Sequence, residues 1–353
     1  VDSALSRCPD CGAEQAPDLL SCPSCGRLVH AATLKKLAAD AEAAEKAGEL
    51  SAALIAWRDA LELLPPNTRQ HAGILERIRG LSARVEEGGP QQQGSTWKKG
   101  AAGLSGLALL LFKFKSFGVL LLTKGKFILL GLTKAPTLFS MLLSMWYYFL
   151  IWGWKFGVGF VLSIYIHEMG HVWLLHKYGI RATAPMFIPG LGAVIRSGAY
   201  QSISPVEDAR VGLAGPMWGL GAAAICYGVY VATGLEYWGA LAQAGGMLNL
   251  FNLIPVWQLD GSRGLHSLTK GQRWLLAAAV GATYWFTSTT TGDHDVHRQN
   301  VFLAIIGVCT AFRAVAGEAP KQRDDFGLFQ FVLLIITLGA LASIHIPMAA
   351  RMR

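Results

Sequence analysis

The chain has 353 residues, 52% of them hydrophobic and only 15% charged, with 40 glycines and a formal net charge of +8. These values fit a polytopic membrane protein carrying a polar appendage. The positive residues are spread over loops rather than gathered in an aromatic-laced patch, which argues against a nucleic-acid partner and for loop charge on a membrane protein.

Residues 1–30 contain no apolar core of signal-peptide length, so the N-terminus is expected in the cytosol. Cys8, Cys11, Cys22 and Cys25 form two CxxC knuckles, CPDCG and CPSCG, with Gly12 and Gly26 supplying the turns' unusual backbone angles. Four thiolates make a closed tetrahedral set suited to a structural Zn2+, and about 25 residues cannot bury a core without one. Two disulfides are the alternative, which a reducing compartment disfavours. The segment resembles a zinc ribbon. Cys226 and Cys309 stand alone in apolar runs and read as packing residues.

Residues 31–87 read as a soluble helical domain. Leu34 to Ala47 is alanine-rich, Gly48 breaks it, and Leu50 to Leu64 places Ala53, Trp57, Ala60, Leu61 and Leu64 on one stripe. A third helix runs from Thr68 to about Glu87. The layout resembles one tetratricopeptide repeat, which cannot close its own core and must lean on the third helix, a protein partner or a second copy. A plain three-helix spacer is the other reading. Residues 88–100 form a flexible linker ending in Trp97, Lys98 and Lys99.

In 101–135, lysines at 113, 115, 124 and 126 cut the apolar runs into pieces too short for ~30 Å of hydrocarbon. An in-plane or re-entrant amphipathic segment with snorkelling lysines is expected, or else a tilted hairpin of two spans. Membrane spans then follow at about 136–153, 156–175, 209–232, 238–254, 273–290, 300–316 and 326–346. The expected fold is therefore an all-α polytopic membrane protein of about seven transmembrane helices, with a small re-entrant β element in Pro185 to Tyr200 beside the site. A packing loop is the alternative for that element.

One span carries His167, Glu168 and His171 in the run IYIHEMGHVWLLHK. Residues four apart share a helix face, so the two histidines can hold one metal, with Glu168 one step round, beside the position left open for water. Three ionisable side chains at lipid depth are expensive unless they act. The third ligand is expected to be Asp260, in NLIPVWQLDG, at a helix end broken by Pro255 and Gly261 where irregular backbone can line a cavity. Lys177, Arg181, Arg196 and Arg210 in one loop, and Arg263, Lys270 and Arg273 in another, place both motif ends on the cytosolic side. The C-terminus, with Arg351 and Arg353, then lies outside, a mild violation of the same rule.

HEMGH followed by NLIPVWQLDG resembles the site-2 protease family of intramembrane zinc metalloproteases, over roughly Pro136 to Arg273. The resemblance implies a catalytic Zn2+ on His167, His171 and Asp260, Glu168 as general base, and Asn252 holding the substrate or the oxyanion. It also implies transmembrane protein substrates, cut near the cytosolic leaflet, in a multi-pass protein of the lipid bilayer. A bacterial inner membrane is the expected location. One departure stands out: where family members often have an asparagine three residues after the Gly215-Pro216 pair, this chain has Gly219.

The competing readings are a catalytically silent receptor or scaffold, and a zinc transporter or sensor. The intact Glu168 argues against the first. Spans nearly free of ionisable residues outside the motif helices argue against the second. His176 reads as a helix-end residue, Glu207 and Asp208 as helix-start residues, and the cluster of Asp293, His294, Asp295 and His297 as a solvated loop.

Overall fold

A computed structural model of the chain describes residues 6–16, 19–87, 135–190, 192–194, 203–289 and 298–344. The linker at 88–100, nearly all of the amphipathic segment expected at 101–135, and the acidic and histidine loop at 293–297 lie outside these residues. The chain divides into two compact units. One comprises Val1–Thr96, Leu175–Arg181 and Ser197–Ser204, and the other the remainder.

In the first unit, strands β1 (Ser6–Arg7) and β2 (Glu14–Gln15) pair antiparallel, with Arg7 opposite Glu14. Each CxxC closes as a tight knuckle: the Gly12 N–H donates to Cys8 O at 2.9 Å and the Gly26 N–H to Cys22 O at 2.8 Å. Both glycines sit at positive φ, +72° and +74°, the conformation that the knuckle turn demands.

Helices α1 (Ala31–Lys46), α2 (Leu50–Glu62) and α3 (Arg69–Glu87) follow. The expected stripe is the buried one: Ala53, Trp57, Ala60, Leu61 and Leu64 are buried, as are Ala41 of α1 and Ile78, Leu81 and Val85 of α3, the helices packed on either side of α2. Trp57 donates from Nε1 to Glu45 at 2.6 Å, while the Arg77 guanidinium lies 4.9 Å from its ring centre. Thr68 caps α3, accepting from the His71 N–H at 3.2 Å. Residues 175–181 complete this unit on α2. Ser51 donates to Lys177 O at 2.9 Å, and the buried Arg58 donates from Nε to Tyr178 O at 3.0 Å.

The second unit is built from α4 (Ala135–Trp152), α5 (Trp154–Lys177, as far as Leu174), α6 (Pro205–Thr233), α7 (Glu236–Asn252), α8 (Asp260–Gly264), α9 (Lys270–Thr289), α10 (Arg298–Ala316) and α11 (Asp325–Ala342). All seven expected spans are helical. Five of them, α4, α5, α6, α10 and α11, are long and apolar enough to cross a membrane among the described residues. The other two fall short of that standard. α7 has 17 residues, about 26 Å of helix against ~30 Å of hydrocarbon, and α9 opens with Lys270, Gln272 and Arg273.

Lipid-type exposure is evident on α4, where Leu138, Phe139, Leu142, Trp146 and Leu150 stand open. The packed interior gathers Leu213, Leu250, Leu276, Leu303, Phe331, Leu334 and Leu338 from five of the helices, with Leu253 and Leu265 from just past the ends of α7 and α8. Arg210 and Asp324 form a bidentate pair at 2.7 and 2.8 Å, and the same Asp324 carboxylate caps α11 through the Gly327 N–H.

The expected β element is a hairpin of β3 (Met186–Ile188) and β4 (Gly192–Val194), with Phe187 opposite Ala193. Alternation sets its two faces: Phe187 is buried and its N–H donates to Ser140 Oγ of α4 at 3.1 Å, while Met186 and Ile188 are exposed.

Candidate metal centre

A periodicity of 3.6 residues brings His167 and His171 to one face of α5, and their Nε2 atoms lie 3.2 Å apart. α5 can approach α6 closely because Gly170 faces it; a side-chain carbon there would stand 2.5 Å from Ala214 O. Asp260 opens the one-turn helix α8 and completes the set. Its carboxylate oxygens lie 3.1 Å from His167 Nε2 and 3.3 Å from His171 Nε2. All three side chains are buried.

The protons of both imidazoles are assigned by their other nitrogens. His167 Nδ1 faces Asn249 Oδ1 at 2.7 Å and His171 Nδ1 faces Val211 O at 2.8 Å. Each of those oxygens can only accept, so each Nδ1 carries the hydrogen and each Nε2 presents a lone pair. Two ring lone pairs and a carboxylate then face one another in a buried space without a donor among them, an arrangement that calls for a cation.

The spacing fits zinc. Tetrahedral ligands about 2.0–2.1 Å from the ion stand about 3.3 Å apart, close to the 3.1–3.3 Å observed. Room for the ion is left by Gly215 of α6, where a side-chain carbon would lie 2.1 Å from His171 Nε2 and 2.7 Å from His167 Nε2.

Glu168 is also buried, next along the helix from His167. Asn252 is half-buried at the end of α7, with Nδ2 3.5 Å from His167 Nε2. The structure thus brings His167, His171 and Asp260 together, with Asn252 beside them and Glu168 next along α5. One expectation is corrected: Gly261 does not break a helix but is the second residue of α8. Its lack of a side chain lets α8 lie against the end of α7, since a carbon there would be 1.9 Å from Leu253 O.

Two contributors escaped the sequence. Asn249 carries a signal, a second amide three residues before Asn252 on the same face of an apolar helix. The Val211 carbonyl carries none, because any residue supplies it. The place of the Gly219 departure is also filled: Asn249 reaches across from α7, its amide within 2.2–2.6 Å of where a carbon on Gly219 would stand.

In the first unit the four cysteines are free thiols. Cys8 and Cys25 sulfurs are 3.7 Å apart, as are those of Cys11 and Cys22. Tetrahedral zinc–sulfur bonds of about 2.3 Å place sulfurs about 3.8 Å apart, whereas a disulfide needs about 2.05 Å, so this geometry suits a metal and not two disulfides. The Cys11 N–H draws the Cys8 thiol down, and those of Cys25 and Ser24 draw Cys22 down. Although the Arg27 N–H favours the Cys25 thiolate, the Cys11 sulfur leads the opposing groups and pushes it up to about 12. Four thiolates cannot coexist there without a cation among them.

Residues 155–235 match the family model for peptidase family M50. Over 140 residues the chain is 29% identical to a zinc metalloprotease of Methanocaldococcus jannaschii, a match covering 38% of this chain and 40% of that relative. The chain thus spans about two fifths of the length of the curated relative it matches. No solved structure matches the chain. The family match contains His167, Glu168, His171, Gly215 and Gly219 and ends before Asn249, Asn252 and Asp260, which tertiary packing brings to the same centre.

Proposed function

We propose, for a chain whose residues 155–235 match the model for peptidase family M50, that it hydrolyses peptide bonds of membrane-anchored proteins at a zinc ion held by His167, His171 and Asp260. The observation that carries the proposal is the buried triangle of acceptor atoms at 3.1–3.3 Å, two of them on α5, a helix of membrane-spanning character, and the third at the start of the short α8. Zinc, when bound there, supplies a Lewis acid and lowers the pKa of water from ~15.7 toward ~7.

Glu168 is the general base. It accepts the proton of the attacking water and returns it to the leaving amine. Asn252 turns its amide donor toward the scissile carbonyl oxygen, where one such donor is worth on the order of 3 kcal/mol as charge develops. Asn249 and Val211 O keep both imidazoles in one tautomer throughout.

A substrate helix has its carbonyls already hydrogen-bonded, so it must unwind before hydrolysis. The exposed β3–β4 hairpin, with Met186 and Ile188 open, offers strand pairing to the unwound segment. The seven-span arrangement, a cytosolic N-terminus, cleavage near the cytosolic leaflet and a bacterial inner membrane complete the proposal, supported by loop charge. The ribbon, with its own structural zinc, and the tetratricopeptide-like helices α1–α3 would recruit substrates, gate access or pair with a second copy.

The test is co-expression of tagged single-span proteins with the wild type or with Glu168→Gln. Fragments cut within the span by the wild type alone, with equal zinc in both proteins, are expected. Identical patterns from the two would sink the protease reading.

A further inference from the structure

Asn249 is 1% exposed, and both ends of its amide are committed. Nδ2 donates to Gly245 O of its own helix at 2.7 Å, which leaves Oδ1 directed at His167 Nδ1, 2.7 Å away. The first bond is what fixes the second: an amide whose NH2 is held by the preceding turn presents only its oxygen to the ring. A ring nitrogen that must donate at Nδ1 keeps its lone pair at Nε2, the atom in the triangle with His171 and Asp260.

The amide can occupy this place only because α6 leaves it empty. A carbon on Gly219 would stand 2.2 Å from Asn249 Oδ1, 2.4 Å from Nδ2 and 2.6 Å from Cγ. All three atoms of the amide head are affected, and a buried head has nowhere to retreat.

We infer that Asn249 is the positioning residue for His167, and that Gly219 is its coupled partner, conserving the space from which Asn249 sets the tautomer and angle of the ring. The inference rests on the metalloprotease reading for its purpose, but its content is metal affinity. An outer-shell partner of this kind typically alters metal affinity 10–100-fold.

The experiment uses the full chain in lipid nanodiscs, with zinc affinity at the histidine–aspartate centre measured by chelator competition. Cobalt difference spectra against the wild type cancel the four-cysteine contribution. Asn249→Ala and Asn249→Asp both lose the bond to Gly245 O, so any general packing loss is common to the pair. Only the aspartate keeps an acceptor for His167 Nδ1.

Asn249→Ala is expected to weaken zinc 10–100-fold, and Asn249→Asp to stay within about threefold of the wild type. Gly219→Ala should match Asn249→Ala, and the double variant Gly219→Ala/Asn249→Ala should be no weaker than Asn249→Ala alone, because the added methyl then meets no amide. Equal losses in Asn249→Ala and Asn249→Asp, or independent losses that multiply in the double variant, overturn the inference. A wild type that binds zinc here but cuts nothing overturns the protease reading and leaves the inference standing. Wild-type affinity in Asn249→Ala does the reverse.

Discussion

Gly215→Ala adds one methyl group at the centre of the metal site. The new carbon would stand 2.1 Å from His171 Nε2, 2.5 Å from its Cε1 and 2.7 Å from His167 Nε2. Ordinary contact begins at about 3.5 Å, so His171 would have to retreat by about 1.4 Å. Zinc–nitrogen distances tolerate only about 0.2 Å, so the displaced ring ceases to be a ligand. The Val211 carbonyl behind Nδ1 also blocks the retreat.

Loss of a ligand exceeds the 10–100-fold range of outer-shell changes, so zinc affinity at this centre should fall by more than about 100-fold. Equilibrium dialysis against a graded chelator, followed by metal analysis, should take the chain from two zinc ions to one, the remaining ion belonging to the four cysteines. The chelator-stripped variant should melt below the stripped wild type, because the methyl meets the His171 ring whether or not an ion is bound. Two retained zinc ions of unchanged affinity would refute the placement of the metal between His167, His171 and Asp260.

Cys8→Ser should remove the other zinc and release the amides of residues 6–29 from protection, while α1–α3 keep their own melting transition; hydrogen exchange reads both, and persistent protection of the ribbon would count against a metal-dependent fold. Asp324→Asn leaves Arg210 buried without its counter-charge and should destabilise the chain by about 3 kcal/mol at neutral pH. Burial alone would raise the Asp324 carboxyl, but the Arg210 hydrogen bonds overcome it and hold it below the ordinary carboxylate value. Its contribution is thus fully present above the unfolded pKa of about 3.9 and is lost as pH falls through the lower folded value. The melting temperature should accordingly drop less in Asp324→Asn than in the wild type between pH 6 and pH 3. Equal drops would exclude this pair as a source of acid lability.

Much of the molecule is legible in one dimension because its signals are local. Two histidines four apart fix a shared helix face, CxxC fixes a knuckle, and the stripe of Ala53, Trp57, Ala60, Leu61 and Leu64 fixes which side of α2 is buried. Each depends on backbone geometry within a few residues, so no partner needs to be known.

What only the tertiary structure decided concerns the rotation and depth of one helix against another. Asn249 and Asn252 lie on the same face of α7, and nothing local tells which of them meets His167 Nδ1 and which lies 3.5 Å from Nε2. Gly215, Gly219 and Gly261 look alike as small residues, yet one leaves room for a metal, one for an amide and one for a neighbouring backbone. Periodicity specifies a helix's apolar face, but the angular position of that face against its neighbours emerges from interlocking side chains. A glycine's role is set by what occupies the volume it vacates, and that volume belongs to residues distant in sequence.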